Sequence, residues 1–548
     1  MQRKIVISAL LNQVQVGIVE NGRLVEYYLE RDCKERLVNN IYKGRVENIL
    51  PGMAAAFVDI GIGKNAFLFL DDLPTPQDKE TLRKGDSLLV QVAKEAEGTK
   101  GARVKAQIAL PGRYLVLMPF QNNTGISKQI TDPNERERLK EIAEELAPQN
   151  MGIIVRTMAQ GCTVEELASD LEELRDEWTR IQKKYRGKTQ SRLLYQDHDL
   201  IARIIRDLYN PVGTHIIVDS SELQERVESE LSELGLQPST PIELYRGKVN
   251  LFTYLGINKD LERARNQRVW LDCGGYLVFN QTEALLSIDV NTGKYVGSTG
   301  LQDTVLKTNL QAAEEIAHQL RLRNVGGIVI IDFIDMINSA DREAVLDKLA
   351  DSLGADKTRT NLCGFTRLGL VELTRKKAKR PLAHLLEVDC FHCHGTGKVT
   401  SDETVAFQIA MEVNSLALEE QVEAILVQCH SAVAAQLIGP GAETLKLLEK
   451  QVGKTVFVRG DDTLLRGEYK LESGSLADLE KKAHPVQLGE RLRVEVLERH
   501  ASHPGSGLAR IDGFVIECLN CQSLVGQEVT VEIVEVQRTS ALARLIES

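Results

Sequence analysis

Two aspartates and an asparagine stand in a pattern that suits metal-ion chemistry. Asp289 and Asn291 alternate with apolar residues in the run LLSIDVN, and Asp332 ends the β-branched run IVIID. Side chains at every second position of a strand share one face, so Asp289 and Asn291 are predicted to point the same way. Clustered carboxylate and amide oxygens are ligands that Mg²⁺ or Mn²⁺ takes in proteins. The three residues are therefore a candidate site for a hard divalent cation.

The elements around these residues predict how they meet. A segment of helical periodicity at 303–322 separates the two apolar runs, which is the pattern of a strand, a helix and a second strand. Such crossovers are right-handed and join parallel strands, so Asp289 and Asp332 are predicted at the same carboxyl edge of one sheet. Aspartates at strand ends also cap helices and turns, and spacing alone leaves this alternative open.

Composition limits the class of protein. A chain of 548 residues is too long for a single core, so several domains are expected. Nine cysteines, an odd number in a sequence without signal-peptide or membrane-length apolar runs, favour metal ligation over a disulfide framework and predict a cytoplasmic location with no membrane span. The net charge of −11 does not exclude nucleic acid, because polyanions bind to local basic patches.

Longer motifs resemble a known family. The segments IDVNTGKY, TNLQAAEEIAHQLRLRNVGGIVIIDFIDM and CFHC before HGTG closely resemble the ribonuclease E/G family of bacterial endoribonucleases, in order across residues 1–399. The resemblance implies that Asp289 and Asp332 bind a catalytic Mg²⁺ and that Asn291 assists. It also implies cleavage of single-stranded RNA to 5′-phosphate and 3′-hydroxyl ends, as in RNA decay and in the processing of RNA, including rRNA.

The resemblance implies an α/β multidomain fold with parts in a defined order. These are an RNase H-like subdomain at 1–35 and 215–280, an S1-type OB-fold RNA-binding domain at 36–124, a 5′-sensor region at 125–214, a DNase I-like catalytic domain at 281–389, a zinc link at 390–399, a small α/β dimerisation domain at 400–483 and a TRAM-like RNA-binding β-barrel at 485–548. The later piece of the first subdomain is expected to include VWLDCGGYLVFNQ. Independently, Asn21-Gly22 predicts a tight hairpin, and short glycine-punctuated strands at 39–119 predict a small barrel.

Aromatic and basic residues in the predicted barrel suit single-stranded RNA. Phe57 and Phe67 could provide stacking surfaces beside the cations Lys100 and Lys105. The pattern alone favours a place for both phenylalanines in the hydrophobic core. In the family that the chain resembles, the residue matching Phe57 lies on the RNA-facing surface.

A second set of residues suits a terminal phosphate. Arg156 and Thr157 end the strand GIIVRT and offer a guanidinium and a hydroxyl, while Lys128 is a further cation. The resemblance implies that this region senses the RNA 5′ end and favours a 5′-monophosphate. Family members commonly carry arginine where this chain has Lys128, so a weaker preference is expected.

Two pairs of cysteines have the spacing of zinc ligands. Cys390 and Cys393 precede a glycine-containing turn and make half of a tetrahedral site, for which the sequence offers no convincing second half. The resemblance implies one structural Zn²⁺ shared between two chains, and thus a homodimer or a dimer of such dimers. Cys518 and Cys521 lie in a β-rich tail and are expected to be incidental.

Two other classes of function compete with the ribonuclease. One is a non-catalytic RNA-binding scaffold that keeps the RNA modules and a vestigial metal site, and retention of all three metal-site residues argues against it. The other is a metal-dependent DNase, which rests on fold analogy alone. The RNA targets are not predicted by the sequence.

Overall fold

A computed structural model describes residues 3–31, 36–96, 101–187, 192–293, 301–377, 379–500, 503–511 and 513–547. The chain divides into two compact units, Met1–Glu387 and Val388–Ser548. None of the helices in these ranges combines the length and apolar character needed to cross a bilayer.

The first unit alternates short strands with helices. Up to residue 218 its elements are β1 (Arg3–Leu10), β2 (Gln13–Glu20), β3 (Arg23–Arg31), β4 (Ile41–Leu50), β5 (Ala55–Asp59), β6 (Ala66–Phe69), α1 (Pro76–Thr81), β7 (Ser87–Lys94), β8 (Arg103–Lys105), β9 (Leu110–Pro111), β10 (Leu115–Met118), β11 (Thr124–Ile126), α2 (Pro133–Leu146), β12 (Gly152–Val155), α3 (Val164–Arg186), β13 (Leu193–Tyr195), α4 (Leu200–Leu208) and β14 (Thr214–Val218). Beyond it come α5 (Ser221–Glu233), β15 (Glu243–Leu244), α6 (Leu251–Tyr254), α7 (Ile257–Arg265), β16 (Arg268–Trp270), β17 (Tyr276–Gln281), β18 (Leu285–Asn291), α8 (Leu301–Leu322), β19 (Gly327–Asp332), α9 (Ser339–Gly354), β20 (Thr360–Phe365), β21 (Val371–Arg375) and α10 (Leu382–Leu386).

The first sheet joins distant parts of the sequence. Its strand order is β15-β14-β1-β2-β3, with β1 parallel to β14 and antiparallel to β2. The predicted hairpin is confirmed, because Asn21 and Gly22 both have positive φ, at 51° and 81°, between β2 and β3. Everything between β3 and β14 is therefore inserted into this sheet.

The insertion begins with the predicted small barrel. Strands β4, β5, β6, β8 and β7 follow one another by hydrogen bonding, and β4 also pairs with β7, which closes the ring. A separate sheet of β11-β12-β10-β9 follows and packs with α2 and α3 around a second hydrophobic core.

The sheet that carries the metal-site residues has the order β16-β17-β18-β19-β21-β20. The predicted unit of strand, helix and strand is confirmed as β18, α8 and β19, and its two strands are parallel. The structure differs from one expectation, which concerns the sheet that the segment 268–281 joins. The strands at 268–281 do not join the first sheet but extend this one, because β17 pairs antiparallel with β18 along its whole length.

Helix α8 connects this sheet to the first one. Its inner face packs on the sheet through buried residues such as Ile316 and Leu320. At its end, the buried Arg321 pairs with Glu20 at 2.8 Å and Glu26 at 2.9 Å, both from the first sheet. Burial raises the pKa of Glu26, but the charges of Lys379 and Arg321 and the hydroxyl of Tyr28 outweigh it and bring that pKa to about 2.

The second unit contains two sheets. Its elements are α11 (Asp402–Leu416), β22 (Ala424–Cys429), α12 (Ser431–Ile438), α13 (Glu443–Val452), β23 (Thr455–Gly460), β24 (Tyr469–Gly474), α14 (Leu476–Ala483), β25 (Arg491–Glu495), β26 (Glu498–Arg499), β27 (Gly507–Ile511), β28 (Phe514–Leu519), β29 (Glu528–Val536) and β30 (Ser540–Glu547). One sheet has the order β23-β22-β24 and packs with helices, and the other has the order β25-β29-β30-β28-β27-β26 and its own hydrophobic core.

Candidate active site

Two carboxylates lie side by side at the carboxyl ends of β18 and β19. Asp289 is the direct register partner of Asp332 in the parallel pair. Ile288 and Ile331 face the hydrophobic core, so the alternating aspartates point to the opposite face, where both are exposed. The convergence that the sequence predicts at this edge is therefore present.

Hydrogen bonding and charge prepare this pair for a cation. Asn291 donates from Nδ2 to Asp289 Oδ2 at 2.7 Å. Partial desolvation by neighbouring atoms raises the pKa of the exposed Asp332 above its usual value, and the negative charges of Asp289 and Asp335 raise it further. A divalent cation would relieve this repulsion, and the donors are the oxygens that Mg²⁺ prefers, so the residues fit the metal.

Two residues around this site were not singled out from the sequence. Asp335 is an exposed third carboxylate, and its signal is its place three residues after Asp332 in the run IDFID. Asn309 on α8 is fully buried and holds the loop between these two aspartates: its Nδ2 donates to Ile334 O at 2.8 Å, and its Oδ1 accepts from Ile334 N at 3.1 Å. The role of Asn309 is visible only in the structure, through its contact with the main chain of Ile334.

The barrel carries an aromatic surface outside its core. Phe57 and Phe67 are direct partners on β5 and β6, with ring centroids 6.0 Å apart, and Phe69 lies 4.8 Å from Phe67. Their neighbours Val58 and Leu68 are fully buried in the barrel core, whereas the phenylalanines are half-buried or exposed on the other side. Phe57 and Phe67 therefore lie outside the barrel core, contrary to the alternative that the sequence pattern favoured.

Cations flank the aromatic surface. The guanidinium carbon of Arg103 lies 4.6 Å from the centroid of the Phe69 ring. Lys105 is two residues further on the same strand and is half-buried, and burial lowers its pKa. Lys100 lies outside the described residues. Phe69 and Arg103 were missed in the sequence, although their alternation with buried residues marks them.

The residues proposed for the RNA 5′ end separate into two groups. Thr157 Oγ1 lies 3.0 Å from both Ser127 Oγ and Gln129 Oε1, so its hydroxyl is beside the loop that carries Lys128. This loop lines a cleft of about 680 Å³ together with residues from the end of α9 and from the segment that leads into β20. Arg156 instead pairs with Asp207 at 2.8 Å. Its guanidinium is therefore engaged, and a phosphate would have to compete with that carboxylate.

The cysteine pair near residue 390 has the geometry of a metal-binding turn. The backbone N–H of Gly397 donates to Cys393 Sγ at 3.3 Å, and this bond lowers the pKa of the Cys393 thiol. Positive φ values at His394, Gly395 and Gly397 wrap the chain around the sulfur. Cys390 is exposed and Cys393 is half-buried. A turn that stabilises a thiolate and carries two cysteines three positions apart fits half of a tetrahedral zinc site.

The other cysteine pair belongs to a hydrophobic core. Cys518 and Cys521 are fully buried, and burial raises the pKa of Cys518 to about 12. Both features suit packing residues, as expected. Nearby, His500, His503 and Glu517 form a cluster that was not singled out from the sequence, with His503 Nδ1 2.9 Å from Glu517 Oε1.

Comparison with known proteins assigns the chain to a family. Residues 109–378 match the Ribonuclease E/G family, residues 389–474 match the thioredoxin-like domain of RNase E/G, and residues 485–546 match the TRAM domain. Ribonuclease G of Escherichia coli K12 is 39% identical over 474 residues, which cover 84% of this chain and 97% of the relative. Ribonuclease E of Nostoc sp. is 39% identical over 402 residues, covering 70% of this chain and 58% of the relative. By this extent of similarity, the chain belongs to the ribonuclease E/G family.

Proposed function

We propose that this endoribonuclease of the ribonuclease E/G family cleaves single-stranded RNA with the help of Mg²⁺ held by Asp289 and Asp332. The observation that carries the proposal is the register pairing of these two carboxylates at the carboxyl edge of parallel strands. The products are 5′-phosphate and 3′-hydroxyl ends.

The protein's own groups have separate tasks in this reaction. Asp289 and Asp332 supply the negative oxygens that hold the cation, and the amide of Asn291 fixes the rotamer of Asp289 through its 2.7 Å hydrogen bond. Asn309 holds the loop that follows Asp332 and would help to position that carboxylate. Mg²⁺ held by these residues would supply Lewis-acid polarisation of the scissile phosphate and would neutralise its developing charge.

The RNA itself would be held by surfaces away from the metal. The aromatic surface of Phe57, Phe67 and Phe69 offers rings on which successive bases stack, and Arg103 and Lys105 offer charge to the backbone. Lys100 has the same proposed role. The TRAM domain at 485–546 supplies a further RNA-binding surface. Stacking and charge tolerate many sequences.

Two features of the proposal concern assembly and substrate choice. Cys390 and Cys393 of two chains would hold one Zn²⁺ between them, because each chain brings half of a tetrahedral thiolate site. Lys128 and Thr157, with Arg156 if it leaves Asp207, would favour a 5′-monophosphate through charge-assisted hydrogen bonds. The site of action would be the cytoplasm.

One experiment tests the central proposal. Purified protein is incubated with a 5′-labelled, single-stranded, AU-rich oligonucleotide, with Mg²⁺ in one arm and excess chelator in the other. Internal cleavage that needs Mg²⁺ and leaves a 3′-hydroxyl supports the proposal. Binding of the oligonucleotide without cleavage in either arm would instead identify an RNA-binding scaffold, and the metal site would be vestigial.

A further inference from the structure

The open face of the active-site sheet continues from the metal-site residues to two aromatic rings. Trp270 on β16 pairs directly with Tyr276 on β17, which in turn pairs directly with Asn291 on β18. Directly opposed residues of antiparallel strands place their side chains on the same face. The alternate residues, such as Val269 and Leu277, are fully buried on the core face. Trp270 and Tyr276 therefore share the exposed face with Asp289 and Asn291.

The two rings form a cluster with a cation. Their centroids lie 5.2 Å apart, and the guanidinium carbon of Arg268 lies 4.5 Å from the centre of the Tyr276 ring. Trp270 is 55% exposed, although a tryptophan can contribute a large buried apolar area. A guanidinium Nη2 of Arg263 donates to Trp270 O at 2.5 Å and so holds the strand that presents the indole. The cluster therefore combines an exposed indole, a half-buried tyrosine ring and a positive charge.

The cluster is close enough to the carboxylates to contact the same RNA strand. Neighbouring strands lie about 4.8 Å apart, so β16, which carries Trp270, and β18, which carries Asp289, are separated by roughly 10 Å. Tyr276 is nearer, since it directly opposes Asn291. A strand whose phosphate sits at Asp289 and Asp332 would thus have a flanking nucleotide over Tyr276 and Trp270.

We propose that Trp270 and Tyr276 form a base-stacking subsite for the nucleotide that flanks the scissile phosphate, with Arg268 placed for a backbone phosphate. The inference rests on the proposed function, because it takes single-stranded RNA as the ligand. Stacking on a ring accepts every base, and so this subsite orients the strand without strict sequence choice. Trp270 and Tyr276 would thus position the nucleotide next to the scissile phosphate, whereas the aromatic surface of the barrel would bind another part of the strand.

A binding measurement reads the subsite without any cleavage. The chain has two tryptophans, and Trp178 is only 3% exposed, so acrylamide quenching reports mainly on Trp270. In the Asp332→Asn background, saturating single-stranded oligonucleotide should lower the acrylamide quenching constant at least about twofold, as a stacked base covers the ring. The Trp270→Phe variant should not show this change. If labelled RNA binds, by anisotropy, while quenching of Trp270 stays the same, the subsite is wrong.

Kinetics separate positioning from a structural role. Trp270→Ala should raise KM about tenfold with kcat nearly unchanged, because stacking holds the ground state and the transition state alike. Trp270→Phe should restore most of the loss. Tyr254→Ala is the matched control, because Tyr254 is 66% exposed and lies 5.1 Å from the Tyr245 ring but sits on α6. A KM for Trp270→Ala equal to that of wild type, at equal melting temperature, would overturn the inference.

Substrates with one missing base locate the subsite along the RNA. An abasic nucleotide at the flanking position should raise the wild-type KM about as much as Trp270→Ala does, and should add little to that variant. Equal sensitivity of both proteins to the abasic position would contradict the assignment. The proposed function fails separately, since it requires only that the wild-type protein cut the intact oligonucleotide with Mg²⁺.

Discussion

Asn309 holds the main chain of Ile334 with two hydrogen bonds, one to the carbonyl at 2.8 Å and one from the N–H at 3.1 Å. Helix α8 thereby fixes the loop that joins Asp332 to Asp335. Because the loop continues directly from Asp332, we infer that this contact helps the strand register to position that carboxylate.

The first prediction tests that contact. Asn309→Ala leaves two backbone groups of Ile334 without their partner, which costs about 1 to 3 kcal/mol each where they are buried. We expect a lower melting temperature, a kcat reduced about tenfold or more, a higher Mg²⁺ requirement and a nearly unchanged KM. Asn338→Ala, an exposed asparagine in the same connection, is the control. A full kcat at wild-type Mg²⁺ would show that the loop does not set the site.

The second prediction concerns the metal ligands. Asp289→Asn or Asp332→Asn removes one anionic ligand and should abolish cleavage, while folding and RNA binding stay nearly intact. Asp341→Asn, which changes a half-buried aspartate in the first turn of α9, should behave as wild type. Cleavage above about a tenth of the wild-type rate at saturating Mg²⁺ in either variant would remove that residue from the ligand set.

The third prediction concerns zinc. Mass spectrometry of the purified protein should find about one Zn²⁺ per two chains, and Cys390→Ser should lower zinc content and the dimer fraction together. Cys363→Ser, which changes another exposed thiol, should alter neither. One zinc per chain that survives Cys390→Ser would point elsewhere, and the cluster of His500, His503 and Glu517 is then the site to test.

The fourth prediction concerns the RNA 5′ end. RNA with a 5′-monophosphate should be cut faster than 5′-hydroxyl RNA of the same sequence, by about tenfold if the pocket contributes roughly 1.4 kcal/mol. Arg156→Ala should reduce this difference in rate, but it also breaks the salt bridge with Asp207. Lys128→Ala is the cleaner test, because Lys128 is exposed. Neither change should slow the hydroxyl substrate much. Equal rates for both RNAs at sub-saturating concentration would contradict the role of the region.

The fifth prediction uses the ion pairs that join α8 to the first sheet. The pKa of Glu26 is about 2, below its ordinary value of 4.5, so its stabilising effect is complete above pH 4.5 and is lost as the pH falls toward 2. The shift corresponds to about 3 kcal/mol. Urea unfolding followed by tryptophan fluorescence should show a loss of stability over this range in the wild type.

The matching variants identify the residue. Glu26→Gln should be less stable at pH 7 and should lose less stability between pH 5 and 3, since the titrating group is gone. The exposed Glu80→Gln serves as the control. Identical pH slopes for Glu26→Gln and the wild type would assign the acid sensitivity to other carboxylates.

Local patterns in the sequence predict the active-site edge because the relevant contacts are short-range or governed by general rules. The alternation around Asp289, the helical period of α8 and the crossover rule together give the parallel pairing. Pairings between distant segments escape such rules. The salt bridge of Arg156 with Asp207 and the contact of the buried Asn309 depend on tertiary packing. The strands at 268–281 were expected in the first sheet, but β17 pairs with β18 in the active-site sheet.

The parallel pairing of β1 with β14 has a consequence for biosynthesis. The register that begins at Arg3 and Thr214 joins segments roughly 200 residues apart. In a growing chain, β1 to β3 therefore lack β14, the parallel partner of β1, until β14 has left the ribosome. The barrel and the sheet around β10 are complete earlier and can fold during that wait. Ile5 and Ile7, fully buried in the finished sheet, are then the apolar surface that a nascent-chain chaperone would have to cover.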